Sequence, residues 1–208
     1  FLFGDVFPNV RVRADLEHLT NPASYEAWTC LEPGAAGETG KVQRGVEGRL
    51  RYEWRRNAAP LDAEAERKLV EASQIRPGEA RFQPVDVDSI KVVRLHRGSV
   101  RWNAHRQRWV LIAVEQGGTS FLGEVWYAEA DEPTGPWRRA KKIVTHARYS
   151  FYNPVHHSFF DQEGGRIVYF EGTYANTFSG NPDATPRYDY NQVMYRRDLD
   201  APRLKPAQ

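Results

Sequence analysis

The 208-residue sequence contains a single cysteine, Cys30, and no long apolar run. One cysteine allows neither an intrachain disulfide nor a thiolate metal site, so we interpret Cys30 as a buried free thiol, with a nucleophilic role left open. No stretch approaches the roughly 20 apolar residues of a membrane helix, and no signal peptide is visible. The sequence therefore predicts no membrane association.

The chain also has no large excess of positive or negative charge, since it contains 29 basic and 27 acidic residues and its net charge is +2. The basic residues are scattered. Their densest run, residues 138–142, is short and equally typical of a solvated edge strand. The sequence does not predict a nucleic-acid-binding protein.

Several chemical signatures are absent as well. We find no Gly-rich phosphate loop, no Gly-x-Ser-x-Gly elbow, no EF-hand loop and no His-x-His or His-Glu-x-x-His spacing. Nothing predicts a nucleotide enzyme, a serine hydrolase or a metal site, and no cofactor is expected.

Hydrophobic residues make up 40% of the chain and aromatic residues 12%, which predicts a packed globular protein. One helix is predicted over residues 61–73, which follow Pro60 and are rich in helix formers. Leu61, Ala65 and Leu69 give this helix an apolar face. Elsewhere short β-rich runs alternate with turn residues, which is typical of an all-β protein.

An internal repeat organises the second half of the chain. Residues 102–112 align with residues 160–170, each an aromatic residue, an Asn or Asp, four turn residues, an Arg and an apolar strand, 58 residues apart (166 − 108). A further strand follows each copy, at 124–127 and 192–195, 68 residues apart (192 − 124). The second copy therefore carries ten extra residues (68 − 58), within 173–189.

Such repeats are typical of propeller blades, small sheets that bury their apolar faces against neighbouring blades. We predict sheets of three or four antiparallel strands over 98–145 and 154–198, packed face to face. The predicted innermost strands are 98–102 and 154–160, and 141–145 is a predicted outer strand. The alternative is that two hairpins look alike by chance in another β architecture.

A weaker earlier copy is predicted, with strands at 25–31 and 49–54. At this interval the chain holds at most about three to four blades, and it begins with the strand-like residues 1–7 rather than Met. We therefore predict a partial, truncated β-propeller with one short helix, a single domain over 1–208. It would be the C-terminal part of a longer protein, whose missing N-terminal part would be a partner. Apolar surface is expected at the N-terminal edge of an open arc of blades. Localisation stays open, and is secreted or periplasmic if the full-length protein carries a leader.

Residues 124–137, which end in Gly-Pro-Trp, resemble the blade signature of the five-bladed propellers of family 43 glycoside hydrolases and their relatives. Asn153-Pro154 followed by 159–169 is similar to the same family's Asp-Pro and hairpin segment. The resemblance covers roughly 95–200 and implies the fold more strongly than the chemistry. Because the family carries an Asp where this chain has Asn153, one of its three carboxylates is missing. An amide cannot act as a base.

Three segments also resemble bacterial propeller proteins for which the resemblance implies no activity. They are Tyr-Asn-Pro at 152–154, Phe-Glu-Gly-Thr-Tyr at 170–174 and the Thr-Pro-Arg-Tyr-Asp-Tyr-Asn-Gln run at 185–192.

Candidate site residues cluster in the second copy. His156 and His157 are adjacent, so on a strand they point to opposite faces. Glu171 ends an apolar strand, either at the mouth of the sheet or as a turn cap. The insertion 174–190 is rich in aromatic and hydrogen-bonding residues, which suit a sugar but also suit a loop that packs on itself. The predicted catalytic residues are Glu171, His157 and Asp189, and the predicted substrate-binding residues are His156, Asn153, Arg187, Tyr188, Tyr174 and Arg101.

Other carboxylates are weaker candidates. Glu124 aligns with Gln192 in the other copy, which argues against a catalytic role, and Asp5 and Glu26 are further candidates. The predicted partner is carbohydrate. The predicted function is glycosidase-like hydrolysis of a glycan or glycoside. The alternatives are a non-catalytic carbohydrate-binding propeller and a structural or protein-interaction module.

Overall fold

A computed structural model describes residue 1 and residues 6–37, 40–146 and 148–207, without the side chains of 206 and 207. The protein is mostly β, with 36% strand and 17% helix. Contacts divide it into two compact units, Phe1–Phe82 and Gln83–Gln208. Among the helices so described, none is both long enough and apolar enough to cross a membrane.

The 1–82 unit contains a small antiparallel sheet of order β1-β2-β3. Its strands are β1 (Val10–Arg11), β2 (Glu26–Thr29) and β3 (Glu53–Arg56), and a short helix, α1 (Leu16–Leu19), lies between the first two. The predicted strand at 25–31 contains β2, whereas β3 lies a few residues beyond the centre of the predicted 49–54 strand.

The predicted helix forms as α2 (Ala63–Glu71). It begins after Asp62, whose side chain accepts a hydrogen bond from the Ala65 N–H at 2.7 Å. Leu61 and Leu69 are fully buried in the core of this unit. Glu66 is also buried, and its carboxylate is satisfied by backbone N–H groups at the end of the unit. One of these is the Phe82 N–H, which donates to the carboxylate at 2.8 Å.

The 83–208 unit begins with a five-stranded sheet of order β4-β8-β7-β6-β5, here called the first sheet. Its strands are β4 (Val85–Asp86), β5 (Leu95–Asn103), β6 (Arg108–Glu115), β7 (Val125–Ala130) and β8 (Arg139–Val144). All neighbours pair antiparallel except β4 and β8, which pair in parallel. The strands predicted within 98–145 are confirmed.

The second sheet has the order β11-β10-β9 and is antiparallel throughout. It consists of β9 (Ser150–His156), β10 (Ile167–Ala175) and β11 (Tyr190–Asp198). Val110 and Ile112 from the first sheet share one core with Phe151, Val168 and Phe170 from the second. The predicted face-to-face packing is therefore confirmed.

Both ends of β9 differ from the prediction, since the strand begins at Ser150 rather than at residue 154. The innermost strand was expected at 154–160, but β9 ends at His156 and Ser158–Phe160 form a 3₁₀ turn. The His157 N–H still donates to the Tyr169 carbonyl at 2.9 Å, and the Phe160 N–H then donates to the His157 carbonyl, which turns the chain. The structure thus confirms a mostly β protein of antiparallel sheets. Both the propeller and the single domain over 1–208 stay predictions.

Candidate functional site

One face of the second sheet packs on the shared core, and the other, here called the outer face, does not. Side chains alternate along a strand, and residues directly opposite in neighbouring strands share a face. Since Phe170 faces the core, Glu171 and Thr173 face outward together with their partners in β9 and β11. The outer face includes Tyr152, Val155, Tyr169, Glu171, Thr173, Tyr190, Gln192, Met194 and Arg196.

The outer face and the segments around it expose an unusual share of apolar surface. Of the 15 large hydrophobic side chains exposed in the described residues, seven lie within 150–198. Tyr190 is 61% exposed and Met194 is 46% exposed. Concentrated apolar exposure of this kind marks interaction surfaces more often than chance.

Three aromatic rings form a group at one end of the outer face. The Tyr152 ring lies 6.2 Å from Tyr190 and 5.8 Å from Phe178, with interplanar angles of 74° and 76°. Burial and a hydrogen bond to Tyr190 raise the pKa of Tyr152 to about 12. Hydrogen bonds from Tyr152 and Thr173 lower the pKa of Tyr190. The three rings therefore form a corner rather than a flat stack, and the hydroxyl groups of Tyr152 and Tyr190 are linked.

The side chains of His157 and Glu171 meet toward the other end of the outer face. The His157 Nε2 lies 3.0 Å from a Glu171 carboxylate oxygen, and the side chains are 20% and 36% exposed. The Phe159 and Phe160 rings lie 5.2 Å and 6.0 Å from the imidazole. Two of the three predicted catalytic residues thus meet in an aromatic, partly exposed setting.

His156 points the other way, as predicted for adjacent strand residues. Its imidazole is fully buried, and its Nε2 lies 2.8 Å from an Asp161 carboxylate oxygen. Its backbone N–H donates to the Ser99 hydroxyl on β5 at 2.8 Å. Burial lowers the pKa of His156, and the nearby charge of Arg101 adds to that effect. His156 therefore joins the two sheets, and neither it nor Arg101 belongs to the outer face.

The predicted residues Arg187, Tyr188 and Asp189 lie away from Glu171. Glu171 pairs with Met194, whereas these residues precede β11 in the segment that joins the far ends of β10 and β11. The five residues from Met194 back to Asp189 span about 17 Å of extended chain. That exceeds the roughly 5–10 Å that separate the carboxyl groups of a glycosidase, so Glu171 and Asp189 do not form such a pair.

Tyr174 and Asn153, two of the predicted substrate-binding residues, have roles in the packing and backbone of the second sheet. Tyr174 is three residues from Glu171, so it faces the core, where its ring lies 5.3 Å from Tyr149. Asn153 has a φ of 51°, at a bulge where the register of β9 shifts opposite Gly172. Asn tolerates this left-handed conformation better than most residues, which gives a backbone reason for its presence.

A pair of carboxylates that the sequence did not single out lies in the first sheet. An Oε2 of Glu124 and an Oε2 of Glu115 lie 2.1 Å and 2.9 Å from the point where a Cβ on Gly118 would stand, so they are at most 5.0 Å apart. Glu124 is buried and accepts the Thr119 N–H at 2.9 Å, and Glu115 accepts the Trp126 indole N–H at 2.8 Å. Burial is the main cause that raises the pKa of Glu115, and the Glu124 charge adds to it.

Sequence reasoning missed Glu115 because its approach to Glu124 depends on the hairpin register. The Glu115 N–H donates to the Glu124 carbonyl at 2.8 Å, which makes the two residues cross-strand neighbours. Of the remaining candidates, Glu26 is held by Arg11 at 2.6 Å, and Asp5 lies outside the described residues. Within the described ranges, no group of three His, Cys, Asp or Glu side chains is arranged to hold a metal ion.

Compared with protein-family models, with curated proteins and with solved structures, the chain matches none.

Proposed function

We propose that this chain binds carbohydrate on the outer face of the second sheet. The observation that carries the proposal is the exposed aromatic corner of Tyr152, Phe178 and Tyr190, which shares a sheet face with hydrogen-bonding side chains. Aromatic faces pack against the C–H faces of sugar rings, and polar groups beside them pair with hydroxyls.

The polar groups on this face suit a neutral sugar. Glu171 accepts hydrogen bonds, and its pairing with His157 fixes its orientation. The Gln192 side chain donates to the Thr173 hydroxyl at 3.1 Å and keeps its carbonyl oxygen as an acceptor. Because the aromatic rings meet at steep angles, the face suits a single glycan chain rather than the flat surface of a crystalline polysaccharide.

We further propose that the two sheets are consecutive blades of a propeller-like array. The shared core supports this, because each sheet buries one face against the other. Trp137, which ends the segment that resembles the glycosidase blade signature, is 1% exposed and acts as a structural residue.

The binding proposal is tested by calorimetric titration of the chain with a panel of neutral oligosaccharides. Tyr190→Ala should weaken the affinity for the bound glycan about tenfold, because it removes one wall of the aromatic corner. The matched control is Trp102→Ala, which removes a half-exposed aromatic ring on β5, outside the outer face. Equal loss in both variants, or no binding by the unaltered chain, would contradict the proposal.

A second candidate is glycoside hydrolysis, because one oxygen of Glu115 and one of Glu124 lie at most 5.0 Å apart and the two carboxylates could act on one bond. Carboxyl groups about 5–5.5 Å apart are typical of retaining glycosidases. The backbone of Gly118 lies over this pair, so a substrate would require the 117–123 loop to move. If the pair hydrolyses glycosides, Glu124→Gln should abolish turnover while Glu171→Gln leaves it intact. If Glu171→Gln abolishes turnover and Glu124→Gln does not, the catalytic site lies on the outer face. If the unaltered chain shows no turnover, carbohydrate binding without catalysis is the function that remains.

A further inference from the structure

Strand β11 lies at an open edge of the second sheet, whereas the matching strand of the first repeat copy has a neighbouring strand on both sides. The matching strand, β7, pairs on one side with β6 and on the other with β8. By contrast, β11 pairs with β10, and no strand in the part of the chain that the structure describes occupies its other side. A nine-residue edge is a template for pairing with another strand.

The register identifies which backbone groups point out from this edge. The Leu199 N–H donates to the Arg166 carbonyl at 2.9 Å, so it points toward β10. Backbone groups alternate in direction along a strand, and those of Gln192, Met194 and Arg196 therefore point away from β10. Their side chains lie on the outer face.

We propose that a second copy of this chain pairs with β11, antiparallel and centred on Met194. Met194 is the midpoint of Tyr190–Asp198, and its backbone groups point outward. A two-fold axis at Met194 therefore places the two strands opposite each other and brings residues 192–196 into the hydrogen-bonding phase. The partner's Met194, Gln192 and Arg196 would each exchange backbone hydrogen bonds with this chain.

Charge favours this arrangement over its alternatives. Antiparallel pairing about Met194 places Gln192 opposite Arg196 and Tyr190 opposite Asp198, so like charges do not face each other. In-register parallel pairing would place each Arg196 and Arg197 beside its own copy, which is destabilising. Met194, 46% exposed in the single chain, would pack against its copy.

The pairing would join two outer faces into one six-stranded surface. This inference does not depend on the proposed carbohydrate binding, because it concerns backbone groups at the strand edge rather than side chains in the aromatic corner. It is measured with no sugar present.

The experiment is sedimentation equilibrium of the full 208-residue chain over a range of concentrations. We expect a reversible dimer. Met194→Pro removes one outward N–H per chain without touching the bonds to β10, so it should raise the dimer dissociation constant at least about tenfold. Met194→Ala keeps the N–H and is the matched control, expected to dimerise within about threefold of the unaltered chain.

A pair of charge variants keeps the proposal falsifiable if the proline variant fails to fold. Gln192→Glu faces the partner's Arg196 and should tighten the dimer about fivefold, whereas Gln192→Arg should weaken it by a similar factor. A chain that stays monomeric at all concentrations would overturn the proposal and leave the edge to solvent or to a peptide of another protein. A dimer that neither substitution pair alters would overturn it too, since that dimer would use another surface.

Discussion

The two sheets of the 83–208 unit carry matched strands in different surroundings. Trp126 on β7 and Met194 on β11 occupy equivalent positions, 68 residues apart (194 − 126), yet Trp126 is 3% exposed and Met194 is 46% exposed. All six residues of β7 are buried, whereas no residue of β11 is, and along most of β11 exposed residues alternate with partly buried ones. The repeat therefore sets the backbone pattern, and the neighbours of each strand decide whether its side chains build a core or a surface.

The largest expected difference between the two sheets is in stability. Trp126→Ala should lower the free energy of unfolding by about 3–5 kcal/mol, because it empties a buried site and removes the indole donor to Glu115. Met194→Ala should cost less than about 1 kcal/mol, since its side chain is half exposed. Denaturant unfolding of both variants measures the contrast. Similar costs would mean that the Met194 side chain is covered in solution. Repeating the measurement at protein concentrations below the proposed dimer range would show whether a second copy of the chain covers it.

The strands were predictable because their signals are local. Apolar runs such as 109–113 and 166–170 follow turn residues, and both lie largely or wholly in strands. The opposite directions of His156 and His157 follow from the alternation of strand side chains alone. The same alternation could have shown that Tyr174, three residues after Glu171, faces the core.

Other features depend on register and could not be read from the sequence. The loop between β10 and β11 begins five residues after Glu171, because the intervening residues continue β10 and carry the chain away from the His157–Glu171 contact. The approach of Glu115 to Glu124 requires the β6–β7 register, and the β9 bulge at Asn153 requires the β9–β10 register. Each depends on pairing between segments rather than on a local pattern.

A smaller effect should distinguish the buried histidine from the exposed one. Burial lowers the pKa of His156, so the folded state binds a proton less readily than the unfolded state. Its contribution to stability is present above the unfolded pKa, near 6.5, and is lost as the pH falls below that value. His156→Gln should therefore flatten the fall in unfolding free energy between pH 7.5 and 5.5 by up to about 1 kcal/mol.

Denaturant unfolding at a series of pH values checks this, with His157→Gln as the control because His157 lies on the partly exposed outer face. A profile that His156→Gln leaves unchanged would show that the buried pair with Asp161 is not the titrating element.

The smallest effect concerns the bulge in β9. Asn153→Ala places an ordinary side chain at a φ of 51° and should cost about 1 kcal/mol, whereas Asn153→Gly should be near neutral. Thermal unfolding of the two variants measures the difference. Equal stability would mean that the backbone at Asn153 is not held in the left-handed region.

The most direct test of carbohydrate binding uses the side chain of Met194. It is the chain's only methionine and lies on the outer face, so a ¹³C-methyl label gives one NMR signal from the proposed surface. The protein concentration is kept fixed, so that dilution does not change the extent of self-association during the titration. Titration with the neutral oligosaccharide that binds in the calorimetric experiment should then shift this signal saturably. In Tyr190→Ala the midpoint of this shift should move to about tenfold higher glycan concentration. A glycan that binds without moving the Met194 signal would contradict the assignment of the outer face as the binding site.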